Sequence, residues 1–249
     1  MKKFVVLSVL SLGLLGINQS QANILFSDNF NSYSSGNLVG QGGWAAHSAA
    51  GLTPVQVSGG AISLVQGSGP REDVNHGLGA TMGAGDTWYY SFDVSVSGFS
   101  NIVYFSLFLQ GTGNFDGKLF IAPSTASDFT FGLSGSSSSP ATTWGTPLTY
   151  GTPYRIVVSY AFDTKAVSLW VNPLNQASAS ISDTSSYQDA VTAIAFRQAS
   201  ASNTEVIDNL VVATTFQEAL TGVSVPEPST LALALVGGLA GLVARRRKC

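Results

Sequence analysis

The clearest pattern along the chain is a period-two alternation over residues 87–98. Trp88, Tyr90, Phe92, Val94 and Val96 fall on one face, and Tyr89, Ser91, Asp93, Ser95 and Ser97 on the other. Successive side chains of a strand point to opposite faces, so this segment is predicted to be a half-buried β-strand. Residues 102–110 are apolar at both parities and rich in aromatic and β-branched side chains, which predicts a central strand covered on both faces. Further strands are predicted at 23–30, 61–66, 118–122, 128–133, 190–197 and 205–213. Segments 154–161 and 166–172 flank Phe162-Asp163-Thr164-Lys165, whose polar turn chemistry predicts a hairpin. No long helical period occurs between Asn23 and Ser224, and residues 134–143, rich in Gly, Ser and Thr, read as an exposed loop. Many short strands with turn signals between them predict an all-β, antiparallel sandwich or barrel.

The two ends follow other rules. Lys2 and Lys3 precede an apolar run over 4–17, and Ser20-Gln21-Ala22 places small residues at the −3 and −1 positions of a cut after Ala22. That is the pattern of a Sec signal peptide, and the run is short for a membrane anchor. At the other end, Val225-Pro226-Glu227-Pro228-Ser229-Thr230 leads into an apolar stretch, 231–244, and then Arg245-Arg246-Arg247-Lys248-Cys249. The stretch is shorter than the ~20 residues of a full span, but flanking residues extend it and the basic cluster would stay cytoplasmic. This tail closely resembles a PEP-CTERM sorting signal. The resemblance implies recognition by an exosortase-type membrane protease in a Gram-negative bacterium that makes extracellular polysaccharide. The expected organisation is a signal peptide (1–22), a β-sandwich (23–220), and a linker with the sorting signal (221–249), transiently anchored in the inner membrane before delivery to the envelope, surface or matrix.

A second resemblance runs through the middle. Asp28-Asn29-Phe30-Asn31-Ser32-Tyr33, Gly40-Gln41-Gly42-Gly43-Trp44, Ser168-Leu169-Trp170-Val171-Asn172-Pro173 and Ile207-Asp208-Asn209-Leu210-Val211-Val212 together look like a concanavalin A-like (laminin G-like) jelly roll. This implies two packed antiparallel sheets, first and last strands as neighbours, and a concave sheet of the kind that often binds carbohydrate.

Charge narrows the partners. Between Asn23 and Ser224 stand five basic residues (Arg71, Lys118, Arg155, Lys165, Arg197) against thirteen acidic ones, so the domain offers no footprint for nucleic acid. The lone cysteine, Cys249, excludes an internal disulfide, and two distant histidines make zinc a poor fit. Asp28 and Asp208, on segments expected to be neighbours, are candidate ligands of a structural calcium; otherwise they cap strand ends. Trp44 and Trp144 lie in Gly-rich contexts and are the candidate sugar-stacking platforms, while Trp88 and Trp170 read as core. Tyr89, Tyr104 and Phe108 are out of phase with their strand neighbours and could line a second face. No strand carries the paired carboxylates of a glycosidase, and no Gly-x-Ser-x-Gly elbow supports a serine triad. Arg71, Asp73 and His76 could form a lyase-like cluster, but a solvated loop accounts for them more simply. The expectation is a non-enzymatic, exosortase-sorted surface protein that binds extracellular polysaccharide; the alternatives are a glycan hydrolase or lyase with an unfamiliar site, or a structural adhesin.

Overall fold

The structure, a computed structural model, describes residues 24–98, 101–111, 113–125 and 127–224. The expected cleavage at Ala22, the motif residues Val225, Pro226, Glu227 and Pro228, the apolar stretch and Arg245, Arg246 and Arg247 lie outside the described residues. Among the described residues, no helix is long and apolar enough to cross a membrane.

Two antiparallel sheets pack face to face. Numbered in chain order, the strands of the first run β15 (Ile181–Thr184), β14 (Ala166–Val171), β13 (Tyr154–Ala161), β7 (Thr87–Ser97), β17 (Thr204–Ala213), β5 (Ala61–Val65), β4 (Gln56–Ser58) and β2 (Gly36–Asn37), and β1 (Ile24–Asp28) also pairs with β17. The second runs β11 (Thr142–Thr143), β10 (Asp128–Ser134), β9 (Asn114–Pro123), β8 (Val103–Gln110), β16 (Ala193–Phe196), β6 (Asp73–Gly77) and β3 (Ala45–Ser48), and β12 (Leu148–Thr149) pairs with β10. The first and last strands are neighbours, as the jelly-roll resemblance implies: Phe26 faces Val212 and Asp28 faces Leu210.

The alternation read from the sequence sets the core. Trp88, Tyr90, Phe92, Val94 and Val96 of β7 all point between the sheets, against Phe105, Phe108, Phe131 and Phe196 of the second sheet. The opposite face of β7 is not simply solvated. A six-residue helix, α1 (Phe216–Thr221), lies over it and buries Tyr89 with Val157, Trp170, Val211, Ala213, Phe216 and Ala219. Six residues are too few to show a helical period, so only the capping chemistry at Thr215 marks this element in the sequence: Thr215 Oγ1 accepts from Glu218 N and donates to Glu218 Oε2.

Strand β8 holds a second departure from simple alternation. Tyr104 pairs with Phe120, Ser106 with Leu119 and Phe108 with Asp116, so an extra residue is absorbed twice, once on each strand. The bulge on β9 is at Gly117, whose φ of 57° is left-handed and whose absent Cβ would stand 3.3 Å from Phe108. Through these bulges Phe105, Ser106 and Phe108 all point inward, while Tyr104, Leu107 and Leu109 point outward. Phe108 is therefore core, contrary to its expected place on the second face.

Candidate functional site

The outer face of the second sheet carries the arrangement best suited to a ligand. Leu107 and Leu109 of β8 and Ala193 and Ala195 of β16 form an apolar floor, with Tyr104 and Phe115 partly buried against it. A cleft of about 220 Å³ lies on this floor, lined by His47, Ser48, Asp73, Leu107, Phe115, Ala195, Phe196 and Arg197. The Arg197 guanidinium stacks on the Tyr104 ring, 4.3 Å from its centroid. Lys118 Nζ stands 5.3 Å from the same ring and 5.7 Å from that of Phe115. Its ammonium also donates to the carbonyls of Ser136 (2.6 Å) and Ser137 (3.2 Å), pinning the Gly/Ser segment that composition alone reads as a free loop. Burial pulls the Lys118 ammonium below the usual lysine range, and nearby Arg197 adds to this while Asp116 opposes it.

His47 enters the cleft because of a backbone irregularity. Ala46 pairs with Val74 and Ser48 with Asp73, so His47 is an extra residue bulged out of β3. Bulges re-aim side chains in this way. Its ring meets Phe115 edge-on at 5.8 Å. Strands β3 and β9 are separated by β6, β16 and β8, so a flat sheet would hold them ~19 Å apart. The two rings meet only because the sheet curls and both side chains reach inward over its outer face. Asp73 accepts from Ser48 Oγ (2.9 Å) and Gln198 N (2.8 Å); burial raises its carboxyl, partly offset by these bonds and by the positive charge nearby.

The other candidates fall elsewhere. Trp44 is a correction: it is 2% exposed, packs on Phe196 in the core and donates its indole N–H to Asp28 at 2.9 Å, so it cannot stack on a sugar. Gly-rich surroundings reflect tight turns here rather than an open loop. Trp44→Phe keeps an aromatic side chain but removes the donor to Asp28 and part of the buried volume, and is expected to cost about 1–3 kcal/mol of stability in urea denaturation without altering any ligand binding. Trp144 is half-buried against the main core and is not part of the cleft. Trp88 and Trp170 are buried, as read from the sequence.

Asp28 and Asp208 do approach the same rim of the first sheet, where a β17 bulge follows Asp208. Asp28 accepts from Phe30 N (2.8 Å), Tyr33 Oη (2.6 Å) and Trp44 Nε1 (2.9 Å), and so orders the strand end. Burial, then the bond to Asp28, pushes the Tyr33 hydroxyl upward. Asp208 accepts from Asn209 N at 2.6 Å. Among the described residues, no three His, Cys, Asp or Glu side chains converge as a metal cage. A larger space of about 880 Å³ beside this rim is lined by Asp28, Asp93, Arg155 and the end of α1, but its polar groups are spent on each other and on the helix.

Arg71, Asp73 and His76 do not form a cluster. Residues 73–77 are strand β6, so Asp73 and His76, three apart, face opposite sides. His76 stacks on Phe26 at 3.7 Å and bonds the Gly42 carbonyl, while Arg71 donates to Val65 O. Sequence reasoning missed His47, Phe115 and Arg197. The only signal was their residue type, since none belongs to a motif.

Similar structures identify the class of domain. A sialidase aligns at a TM-score of 0.56 with 13% identity, over 80% of this chain and 19% of that one, so this chain spans only a small part of the sialidase's length. Peanut lectin with a nine-residue peptide aligns at a TM-score of 0.50 with 14% identity, over 76% of this chain and 97% of that one. The fold is thus a concanavalin A-like jelly roll of the kind found in legume lectins and sialidases. Residues 224–248 match the PEP-CTERM protein-sorting motif, which marks exported, surface-sorted proteins. No curated protein sequence matches the chain.

Proposed function

We propose that this is a non-enzymatic surface protein, processed by an exosortase-type protease, whose outer β8–β16 face binds extracellular carbohydrate. The observation that carries this reading is the pairing of two partly buried aromatic rings, Tyr104 and Phe115, with a cation stacked on one of them above an apolar floor. A flat ring suits the apolar face of a pyranose, and the flanking cation and hydroxyl supply hydrogen bonds to its substituents. Export to the cell surface, which the sorting motif supports, would bring the domain to such polymers. The expected result on a glycan array is saturable binding by the exported chain, weakened about 10-fold or more by Tyr104→Ala or Phe115→Ala. Repeating the array with and without calcium tests the Asp28 and Asp208 proposal at the same time. Absence of binding to every glycan under both conditions would remove this function.

One observation favours a second reading. His47, Asp73 and Arg197 converge on a single cleft. That set could perform β-elimination on a uronate: Arg197 neutralises the carboxylate, His47 takes the proton beside it, the glycosidic C–O bond breaks, and Tyr104 protonates the departing oxygen. Growth of ultraviolet absorbance from the unsaturated product, lost in His47→Ala, would establish it over simple binding.

A further inference from the structure

Resting on the carbohydrate reading, we infer that the ligand is an acidic polysaccharide, with one uronate ring seated beneath the His47–Phe115 contact and its carboxylate on Arg197. Three observations lead there independently of any resemblance.

The first is the distribution of charge. The segment from Asn23 to Ser224 has only five basic residues, yet two of them, Lys118 and Arg197, lie over the same Tyr104 ring. Asp73 and Asp116 stand near and offset part of this charge, but two-fifths of the domain's cations still meet at one spot, where a bound carboxylate would face them.

The second is that the Arg197 guanidinium has no hydrogen-bond acceptor among the described residues; stacking on Tyr104 is its direct contact. Asp73 is near enough to feel its charge but spends its oxygens on Ser48 and the Gln198 amide, and no ion pair joins it to Arg197. Arg155, in contrast, is saturated by Asn209 O, Ser91 Oγ, Ala219 O and Leu220 O. A planar fork of donors held by an aromatic ring and left without acceptors is arranged for a carboxylate, which it can hold bidentately.

The third is size and shape. The cleft, about 220 Å³, is smaller than the ~300–1,000 Å³ of a site for a drug-sized ligand. It suits one ring or its carboxylate arm, while the rest of a polymer lies along the apolar strip. His47 has been bulged from its strand to roof this cleft, and Phe115 closes it from the far side. Neutral sugars would gain the stacking but leave the Arg197 donors unused.

The test is affinity electrophoresis of the exported chain in gels containing polygalacturonate or, in parallel, a neutral glucan, at physiological salt. Retardation by polygalacturonate and not by the glucan is expected. Arg197→Gln should weaken it about 10- to 100-fold, with Arg197→Lys intermediate because it keeps charge but loses the fork. Circular dichroism and thermal melting of both variants should match the parent, since Arg197 accepts no structural role beyond stacking. Retardation by the neutral glucan alone would overturn the acidic class while leaving carbohydrate binding intact. Retardation by neither polymer would overturn both. Polygalacturonate binding unchanged in Arg197→Gln would show that the carboxylate is read elsewhere or only by bulk charge, and would overturn the assignment.

Discussion

This fold is expected to weaken as pH rises from about 4 to about 8, and Asp116→Asn to remove about half of that dependence, the rest belonging to Glu205. Asp116 is 1% exposed and Asp189 8% exposed, their carboxyls are within hydrogen-bond reach, and each has one oxygen with no other partner. Ser185 Oγ donates to Asp116 at 2.5 Å and Asn114 Nδ2 to Asp189 at 3.1 Å. Burial, then the neighbouring Asp189, pushes the Asp116 carboxyl up to about 7 against the pull of Ser185 and Lys118. The Tyr160 hydroxyl beside them is pushed up to about 12, by burial and then by these carboxyls. Glu205, fully buried between Gln66 and Asn203, is pushed up to about 8 by burial.

The direction follows from proton counting. Unfolded, these acids release their protons near 3.8 and 4.5, whereas the folded chain holds them to about 7 and about 8. Between those limits the unfolded state binds fewer protons, so stability declines with rising pH and levels off above about 8. Asn at position 116 can still accept from Ser185 while its amide donates to Asp189, reproducing the protonated form. Asp116→Asn is therefore expected to match the parent at pH ~4 and exceed it by about 2–4 kcal/mol at pH ~8. Urea midpoints at several pH values decide this. A parent stability that is flat or rising over the interval would refute it.

The second large effect concerns α1. Arg155 on β13 donates to Ala219 O (3.1 Å) and Leu220 O (3.2 Å), carbonyls at the helix end that no turn of helix follows, and to Asn209 O (2.8 Å) and Ser91 Oγ (2.9 Å); Asp93 lies 3.5 Å away. Burial lowers the Arg155 guanidinium, and Asp93 offsets this. Arg155→Ala strands several acceptors in a half-buried site, at an expected cost of about 2–4 kcal/mol. Because Trp170 packs edge-on against Phe216 at 5.0 Å, loosening of the helix should also shift Trp170 emission to longer wavelength. Lost stability without that shift would mean the helix stays docked and that Arg155 matters chiefly to the β17 bulge.

Seen against these results, the sequence determined much of the sandwich. Strand β7 was legible because its alternation is uninterrupted, and β13 and β14 because a polar turn joins them. The neighbouring of β1 and β17 came from resemblance and is confirmed by their pairing. Strand β6 was missed because Asp73-Val74-Asn75-His76-Gly77 is short and polar, and α1 because six residues show no period. The site was scarcely legible. A tryptophan among glycines, as at Trp44 and Trp144, looks exposed in the sequence, but exposure depends on what folds over the loop. Tyr104 stands on the outer face, as its phase in the sequence indicates, while the bulges of β8 and β9 turn Phe108, at the same parity, into the core.

Local alternation thus specifies which side chains of a strand share a face, since that periodicity is fixed by backbone geometry. It cannot specify where one extra residue shifts the register, nor which strands distant in sequence lie side by side. His47, Phe115 and Arg197 come from β3, β9 and the end of β16. Only the strand order, the bulge at His47 and the curl of the sheet bring them to one cleft, because each depends on pairing between segments that no short stretch of sequence contains.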